Sequence, residues 1–325
     1  MTRLARSFTA VCTAGITALG LTGAACADDF PTKPIRIVIG IAPGGGLDAM
    51  SRLGAQKLTE RWGQSVIVDN RPGGGTVIAM DMVAQAPADG YTLLGASETL
   101  MLNGVLKRAR YDVRKAFIPI VRLSSQSYVL AVTASLPVKN VKELVAYAKA
   151  KPGTLSYGSQ GLGTQGHIGM ERFKAVAGID MVHVPYKGSA LSLIDVLSGQ
   201  IQLTFASTVA SSPHIKSGKL KGLAVTGAKR SPAYPDIPTV IESGVPFELT
   251  NSYSYYAPAR TSMGVVRAIN AVVSHGMNAP ETVKLLAADG SEPAPPLTPE
   301  EFKAKFAKDY VELERLLAAI HLKLN

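Results

Sequence analysis

The residues best suited to bind a ligand lie in a glycine-rich loop near the amino terminus. Gly44-Gly45-Gly46 follows the apolar run 35–39, and helical spacing resumes at about Ala49. Glycines at a strand-to-helix turn let the backbone approach a ligand closely, and the free N–H groups of the new helix carry partial positive charge. This first loop therefore predicts a binding site for an anion.

A second loop repeats this arrangement later in the chain. The segment 159–166 is rich in glycine and hydroxyl groups, follows a short strand at 155–158 and precedes a helix at 168–175. His167 immediately precedes that helix and either packs locally or faces the ligand. A third glycine run, Gly73 to Gly75, is either a tight turn or a further wall of the site.

Strands, loops and helices alternate around both loops, which is typical of parallel sheets flanked by helices. In such sheets ligands bind beyond the carboxyl ends of the strands, where Ser97 ends a predicted strand. Apolar strands at 117–123 and 128–133 are separated by the polar interval 124–127, and a proline-rich return leads to a strand at 253–257. The chain is thus predicted to leave one α/β lobe, build a second and return, with lobe 1 spanning 28–124 plus 247–325 and lobe 2 spanning 125–246.

The amino-terminal residues have the features of a secretory signal peptide, predicted to span 1–27. Arg3 and Arg6 precede a mostly apolar run at 8–21, and Ala25-Cys26-Ala27 fits a cleavage site. A lipoprotein anchored at Cys26 is the alternative. Because Cys12 and Cys26 both lie in this segment, the mature chain contains no cysteine and is expected in the periplasm.

The formal net charge is +10, but the lysines and arginines are dispersed and no aromatic-rich basic stripe occurs. This pattern argues against nucleic-acid binding. The histidines, His167, His183, His214, His275 and His321, have no spacing typical of metal ligands, so no metal is predicted.

Several motifs along the whole mature chain resemble the Bug receptors, the periplasmic binding proteins of tripartite tricarboxylate transporters. The matching motifs are Ala42-Pro43-Gly44-Gly45-Gly46-x-Asp48, Val68-Asp69-Asn70-Arg71-Pro72-Gly73, Ala88-Asp89-Gly90-Tyr91-Thr92-Leu93, Tyr157-Gly158-Ser159-x-Gly161-x-Gly163-Thr164-x-x-His167 and His183-Val184-Pro185-Tyr186-Lys187-Gly188.

The resemblance implies a type-2 periplasmic binding protein fold with two lobes, each a mostly parallel sheet flanked by helices, joined by a hinge. It implies a non-enzymatic, monomeric receptor without cofactor that binds a mono-, di- or tricarboxylate, aliphatic or aromatic, and serves membrane permease subunits. The two loops would hold one carboxylate: Asp48 would orient a water, Ser159 and Thr164 would donate hydroxyl hydrogen bonds, and Gly161 and Gly163 would offer backbone amides. The predicted ligand-binding residues are Pro43, Gly44, Gly45, Gly46, Leu47, Asp48, Ser97, Ser159, Gly161, Gly163, Thr164, His167 and Ser207.

The chain departs from the family pattern at two places in the predicted site. Leu47 stands where members often carry threonine, and Ala206-Ser207 stands where an Asp-Asn pair is common. Loss of the acid removes a natural partner for an ammonium group. We therefore expect a carboxylate without an amino group.

Two other functions were considered. Gly44-x-Gly46-x-x-Ala49, with Asp69 about 20 residues downstream, fits a dinucleotide-binding fingerprint and suggests an exported oxidoreductase. Export argues against that function, because nicotinamide cofactors are not expected in the periplasm. A receptor that senses its ligand for a signalling partner stays open as the second alternative.

Overall fold

The computed structural model of this protein describes residues 30–288 and 290–319. The predicted signal peptide with both cysteines, and His321, lie outside the described residues. Among the helices that are described, none is long and apolar enough to cross a bilayer.

The first part of the chain forms parallel strands, as the alternating pattern predicted. Strand β1 (Ile35–Ile39) lies between β2 (Val66–Asn70) and β3 (Thr92–Ser97), and both pairings are parallel. Helices α1 (Gly46–Trp62) and α2 (Val77–Ala84) follow β1 and β2. Ile37 pairs with both Val68 and Leu93 and is fully buried.

A second set of parallel strands follows later in the sequence. Strand β5 (Ser156–Ser159) lies between β6 (Val182–Pro185) and β7 (Leu203–Ser207). The helices around these strands are α5 (Val141–Ala150), α6 (Gln165–Ala177), α7 (Ser189–Ser198) and α8 (Thr208–Lys216). Asn140 caps α5, because its Oδ1 accepts a hydrogen bond of 2.9 Å from the Glu143 N–H.

One long strand joins the two sets. The prediction of two strands at 117–123 and 128–133 was wrong, because β4 runs without interruption from Phe117 to Thr133. Its first part pairs with β9 (Thr250–Pro258), and its last residues pair with β7 and with β8 (Leu220–Val225). The polar interval stays in the strand because its backbone pairs with neighbouring strands on both sides and its buried Gln126 side chain finds partners. Gln126 contacts Tyr253 and Ser291, the latter in β10 (Ser291–Pro293).

The remaining helices pack around the first set of strands. They are α3 (Thr99–Val105), α4 (Val113–Ala116), α9 (Met263–Met277), α10 (Pro280–Ala288) and α11 (Pro299–Ala319). Helix α11 begins with a capping box, because Thr298 Oγ1 accepts a 3.2 Å hydrogen bond from the Glu301 N–H and Thr298 N donates to the Glu301 carboxylate.

Two separate hydrophobic clusters lie on either side of the middle of β4. One is built from residues between Tyr128 and Leu249, including Tyr157, Phe173 and Phe205. The other draws on the first strands and on α11, with Leu94, Tyr256 and Phe306 among its members. Each set of strands therefore has its own core, and β4 and β9 carry the chain between the two.

Candidate functional site

The first glycine loop turns sharply from β1 into α1. Gly44 has φ = 90°, a conformation that a side chain would strain, and the helix begins at Gly46. Gly46 packs against the hydroxyl of Tyr253 and the side-chain amide of Gln126, so no larger residue fits there. The backbone of the loop thus lies directly against β9 and β4.

Asp48 fixes the shape of this loop. Its buried carboxylate accepts hydrogen bonds from the Gly44 N–H at 3.1 Å, from Asn70 Nδ2 at 3.0 Å and from two nitrogens of Arg52. Burial alone would raise the pKa of Asp48, but the hydrogen bonds from Arg52, Asn70 and Gly44 outweigh it and hold the pKa below its usual range. Asp48 is therefore a charged, positioning residue whose oxygens are already engaged by the protein.

The second loop has a comparable turn that uncharged groups hold in place. Gly161 and Gly163 have φ of 127° and 74°. Ser159 Oγ accepts a 3.1 Å hydrogen bond from the Gly161 N–H and lies 2.7 Å from His183 Nε2. Thr164 Oγ1 donates to the Gly161 carbonyl at 2.7 Å. The hydroxyls that the sequence assigned to the ligand thus also bind the loop itself.

Two stacked histidines support this second loop. The rings of His167 and His183 are 4.0 Å apart, and His167 Nδ1 accepts a 3.1 Å hydrogen bond from the Gly163 N–H. Burial lowers the pKa of both rings and is the main cause of the fall in the His183 pKa to about 3, with smaller contributions from the neighbouring His167 and Lys174. Both imidazoles are therefore neutral at pH 7, which Nδ1 of His167 requires in order to accept a hydrogen bond.

A cavity lies between the two loops, with a volume of about 30 Å³. That volume admits about two water-sized molecules. Of the predicted binding residues, the lining contains Gly46, Leu47, Ser97, Thr164 and Ser207. The other predicted residues support the loops but do not line the cavity: Pro43, Gly44, Gly45, Asp48, Ser159, Gly161, Gly163 and His167.

Sequence reasoning missed several residues of the lining. These are Ile41, Thr76, Thr99, Tyr128, Gln160, Ser189, Asn251 and Tyr253. Thr76 follows the third glycine run, and Ser189 follows Gly188, so a search for hydroxyls after glycines would have found both. Tyr128 and Asn251 have no such local signal, because β4 and β9 bring them to the cavity only through long-range pairing.

Asn251 has an unusual environment. It is 1% exposed and lines the cavity, and its Oδ1 has no hydrogen-bond partner among the described residues. A buried amide oxygen without a partner costs free energy of about 1–3 kcal/mol. A hydrogen-bond donor in the cavity, such as a water or a ligand hydroxyl, would satisfy it.

The cavity suits an anion although it lacks a cationic side chain. Among the described residues, its lining holds no lysine, arginine, aspartate or glutamate. Six helices begin at its wall. Gly46, Thr99 and Ser189 are the first residues of α1, α3 and α7, and Thr76, Thr164 and Ser207 are the N-caps of α2, α6 and α8. Helix N-termini present free N–H groups and partial positive charge, which stabilise a bound carboxylate.

Contacts at the rim hold the two sides of the cavity together. The Ala42 N–H donates a 2.9 Å hydrogen bond to the Lys187 carbonyl. On the other side, Gly75 packs directly against the Leu162 carbonyl, and Arg108 Nη2 donates to the Gly74 carbonyl at 3.3 Å. The third glycine run therefore meets the second loop at the rim without lining the cavity.

The described residues hold no group of three or more His, Cys, Asp or Glu side chains that could bind a metal. Asp69, the acid of the dinucleotide fingerprint, is already paired with Arg36 and Arg71 at about 3 Å.

Comparison with known proteins shows which family shares this architecture. The family model described as "Tripartite tricarboxylate transporter family receptor" (TctC) matches residues 50–321. The chain is 32% identical to protein BugT of Bordetella pertussis over 282 residues, which are 86% of each chain.

Two solved structures have nearly the same fold. The R. palustris protein Rpa4515, solved with adipate, is 34% identical with a TM-score of 0.86, over 90% of this chain and 99% of that chain. The periplasmic binding protein BugD is 28% identical, again with a TM-score of 0.86, over 90% and 99% of the two chains. The predicted two-lobed periplasmic binding protein fold is thereby confirmed. This chain belongs to the tripartite tricarboxylate transporter receptor family, a family of periplasmic solute-binding proteins and not of enzymes.

Proposed function

We propose that this protein is a periplasmic receptor that binds a small organic acid in the cleft between its glycine loops. The observation that carries the proposal is the cavity wall, where six helix N-termini meet and the described lining has no charged side chain. Carboxylate oxygens accept the hydrogen bonds that backbone N–H groups and hydroxyls donate. The oxidoreductase alternative is set aside, because the family consists of binding proteins.

The ligand class follows from the shape and polarity of the cavity. Ile41 and Leu47 offer an apolar stretch of wall, and Tyr253, Ser207 and Asn251 add polar groups. The hydroxyl oxygen of Tyr253 already accepts a 2.6 Å hydrogen bond from Gln126, so its proton is available to a ligand. Burial raises the pKa of Tyr253, which keeps this donor protonated at neutral pH. An aliphatic dicarboxylate fits these features, and a protein 34% identical was solved with adipate.

An amino acid fits the lining less well. An ammonium group buried in the cleft needs an anionic partner, and the described lining contains none. This supports the expectation of a carboxylate without an amino group.

Ligand entry requires the cleft to widen. A volume of about 30 Å³ is smaller than a C4 to C6 acid needs. The rim contacts at Ala42 and Gly75 would open as lobe 1 (28–124 with 247–325) moves from lobe 2 (125–246) around β4 and β9. Because the walls come from both lobes, the ligand makes its full set of contacts only when they close around it, which is how hinge closure gains free energy.

We expect that the protein binds the acid in order to deliver it for transport across the membrane. The family description names tripartite tricarboxylate transporters, so the partners are membrane permease subunits that receive the acid from a monomeric receptor. The segment 1–27, read as a signal peptide, would deliver the mature chain to the periplasm.

Thermal unfolding of the mature protein with C3 to C8 mono-, di- and tricarboxylates and aromatic acids tests the ligand class. A ligand at 100 times its dissociation constant should raise the free energy of unfolding by about 2.7 kcal/mol. Cadaverine, aspartate and glutamate serve as controls that should give no shift. Absence of a shift with every carboxylate, or a preference for aspartate or glutamate, would overturn the proposal.

A further inference from the structure

A second, larger cavity lies beside the cleft, beyond Glu98 and Gln165, with a volume of about 350 Å³. We call it the rear cavity and define it by Met101, Leu102, Ile168, Arg172, Leu313 and Leu317. These residues come from α3 and α11 on one side and from α6 on the other. A cavity of this size with mainly apolar walls is typical of small-molecule sites.

Arg172 is the polar group that gives the rear cavity its chemical character. Its guanidinium carbon lies 5.5 Å from the ring centroid of Phe247, and no carboxylate among the described residues forms an ion pair with it. Burial lowers the pKa of Arg172, which shows that its charge is poorly solvated. A half-buried cation without a counter-ion beside an apolar cavity favours an anionic ligand.

The acidic residues of the same lining are already engaged. Asp309 pairs with Lys305 at 2.9 Å, and Glu312 lies 3.9 Å from Lys308. Glu98 accepts a 2.7 Å hydrogen bond from the Ser252 N–H, and burial raises the pKa of this carboxyl above its usual value. Among the described residues of the lining, Arg172 is therefore the charged side chain that has neither an ion pair nor a hydrogen bond.

We propose that the rear cavity is a second ligand site, for an amphipathic monocarboxylate such as a medium-chain fatty acid. Its carboxylate pairs with Arg172, and its hydrocarbon chain packs against the leucines of α3 and α11 and against Ile168. This site is separate from the cleft: Glu98 and Gln165 line the rear cavity, whereas their chain neighbours Ser97, Thr99 and Thr164 line the cleft. The proposal does not depend on the identity of the cleft ligand.

Isothermal titration of the full chain with octanoate tests the proposal, with hexanoate, octylamine and octanol as comparison probes. Octanoate should bind at one site and more tightly than hexanoate by about fifteenfold, because each buried methylene contributes about fourfold. Arg172→Gln should weaken octanoate binding about tenfold, as expected for the loss of a charge-assisted hydrogen bond. Arg172→Lys should restore part of the affinity.

Octanoate binding by matched variants tests whether the ligand binds in the rear cavity or elsewhere on the protein. Arg267→Gln removes an exposed arginine that pairs with Glu300 and should leave octanoate binding unchanged. Leu316→Trp enlarges a partly exposed side chain in the lining, so the fold tolerates it while the cavity fills. It should abolish octanoate binding. Circular dichroism checks that both rear-cavity variants are folded.

The cleft is a possible competitor for octanoate, and saturating adipate distinguishes the two sites. Octanoate should still bind in the presence of adipate and in Thr164→Val, which alters only the cleft lining. Displacement by adipate, equal affinity in Arg172→Gln, or tighter binding of octylamine than of octanoate would each overturn the proposal. Octanoate binding that occurs only when the chain ends at Ala319 would instead assign the cavity to residues 320–325.

Discussion

The loop before α1 and the loop before α6 form opposite walls of the cleft, and each bends through a glycine with positive φ before a helix begins. Their stabilisation differs. The first loop depends on the ionised Asp48 and its contacts with Arg52 and Asn70. The second depends on neutral groups. Ser159 contacts His183, Gly163 donates to His167, and the two histidine rings stack on each other. The same anion-binding geometry can thus be fixed by charge or by uncharged hydrogen bonds, and the two loops should respond differently to substitution and to pH.

The largest expected effect comes from adding a side chain where the glycine backbone of a loop packs closely, a feature that both loops share. Gly46→Val places a side chain against the hydroxyl of Tyr253 and the amide of Gln126. Overpacking of this kind costs about 1–3 kcal/mol of stability and should reduce carboxylate affinity by at least about a hundredfold, because α1 can no longer reach the cleft. Calorimetric titration with the best acid from the ligand screen measures the loss.

Gly63→Ala is the matched control for this substitution. Gly63 is the C-cap of α1 and has φ = 68°, but no atom lies within 4 Å of the position that an added Cβ would take. It should cost about 1 kcal/mol of stability and leave affinity unchanged. Equal affinity in Gly46→Val and the unchanged protein would show that the first loop does not form the site.

Acidification should weaken the second loop before the first. The pKa of His183 is about 3 in the folded protein and near 6.5 in an unfolded chain. Below pH 6.5 the unfolded state binds a proton that the folded state does not, so the free energy of unfolding falls as pH falls toward 3. Because solvent reaches part of the ring, we expect about 2 kcal/mol of this effect between pH 7 and pH 4.

Urea unfolding of the protein and of His183→Gln across this pH range measures the difference. Gln can still contact Ser159 but does not titrate, so its curve should be flatter above pH 4. The exposed His275→Gln serves as control and should keep the parent slope. Asp48 acts in the same direction but in a lower pH window. Its pKa is held below the usual range, so its contribution to stability is present above about pH 4 and is lost as pH falls further. Parallel curves for His183→Gln and the parent would show that His183 does not cause the pH dependence of the free energy of unfolding.

The contrast between the loops also shows what the sequence could reveal. Glycines after a strand predicted both turns, and whole-chain motifs predicted the fold, because these signals are local or shared by a family. The partners of Asp48 and Ser159 were not predictable, since Asn70 and His183 approach only through β2 and β6. The continuous strand β4 was missed because the hydrogen bonds that Gln126 donates to Tyr253 and accepts from Ser291 depend on residues distant in sequence.

Removing the charge of the first loop should have an intermediate effect. Asp48→Asn keeps the shape but loses the ion pair with Arg52, so the Gly44 turn loosens and ligand affinity should fall about tenfold. Stability should fall by about 1–3 kcal/mol, because Asp48 is buried and makes several hydrogen bonds. Glu300→Gln, which breaks the exposed pair with Arg267, should cost no more than about 1 kcal/mol and leave binding intact.

The smallest effect is expected where the second loop has alternative support. Ser159→Ala removes the acceptor of the Gly161 N–H and the contact with His183. Thr164 still binds the Gly161 carbonyl, and His167 still accepts from Gly163. The turn should therefore persist, with affinity lower by about threefold and stability by about 1 kcal/mol, the value of a single neutral hydrogen bond. Titration calorimetry of Ser159→Ala beside Asp48→Asn decides the comparison: a larger loss in Ser159→Ala would mean that Ser159 contacts the ligand directly rather than through the loop.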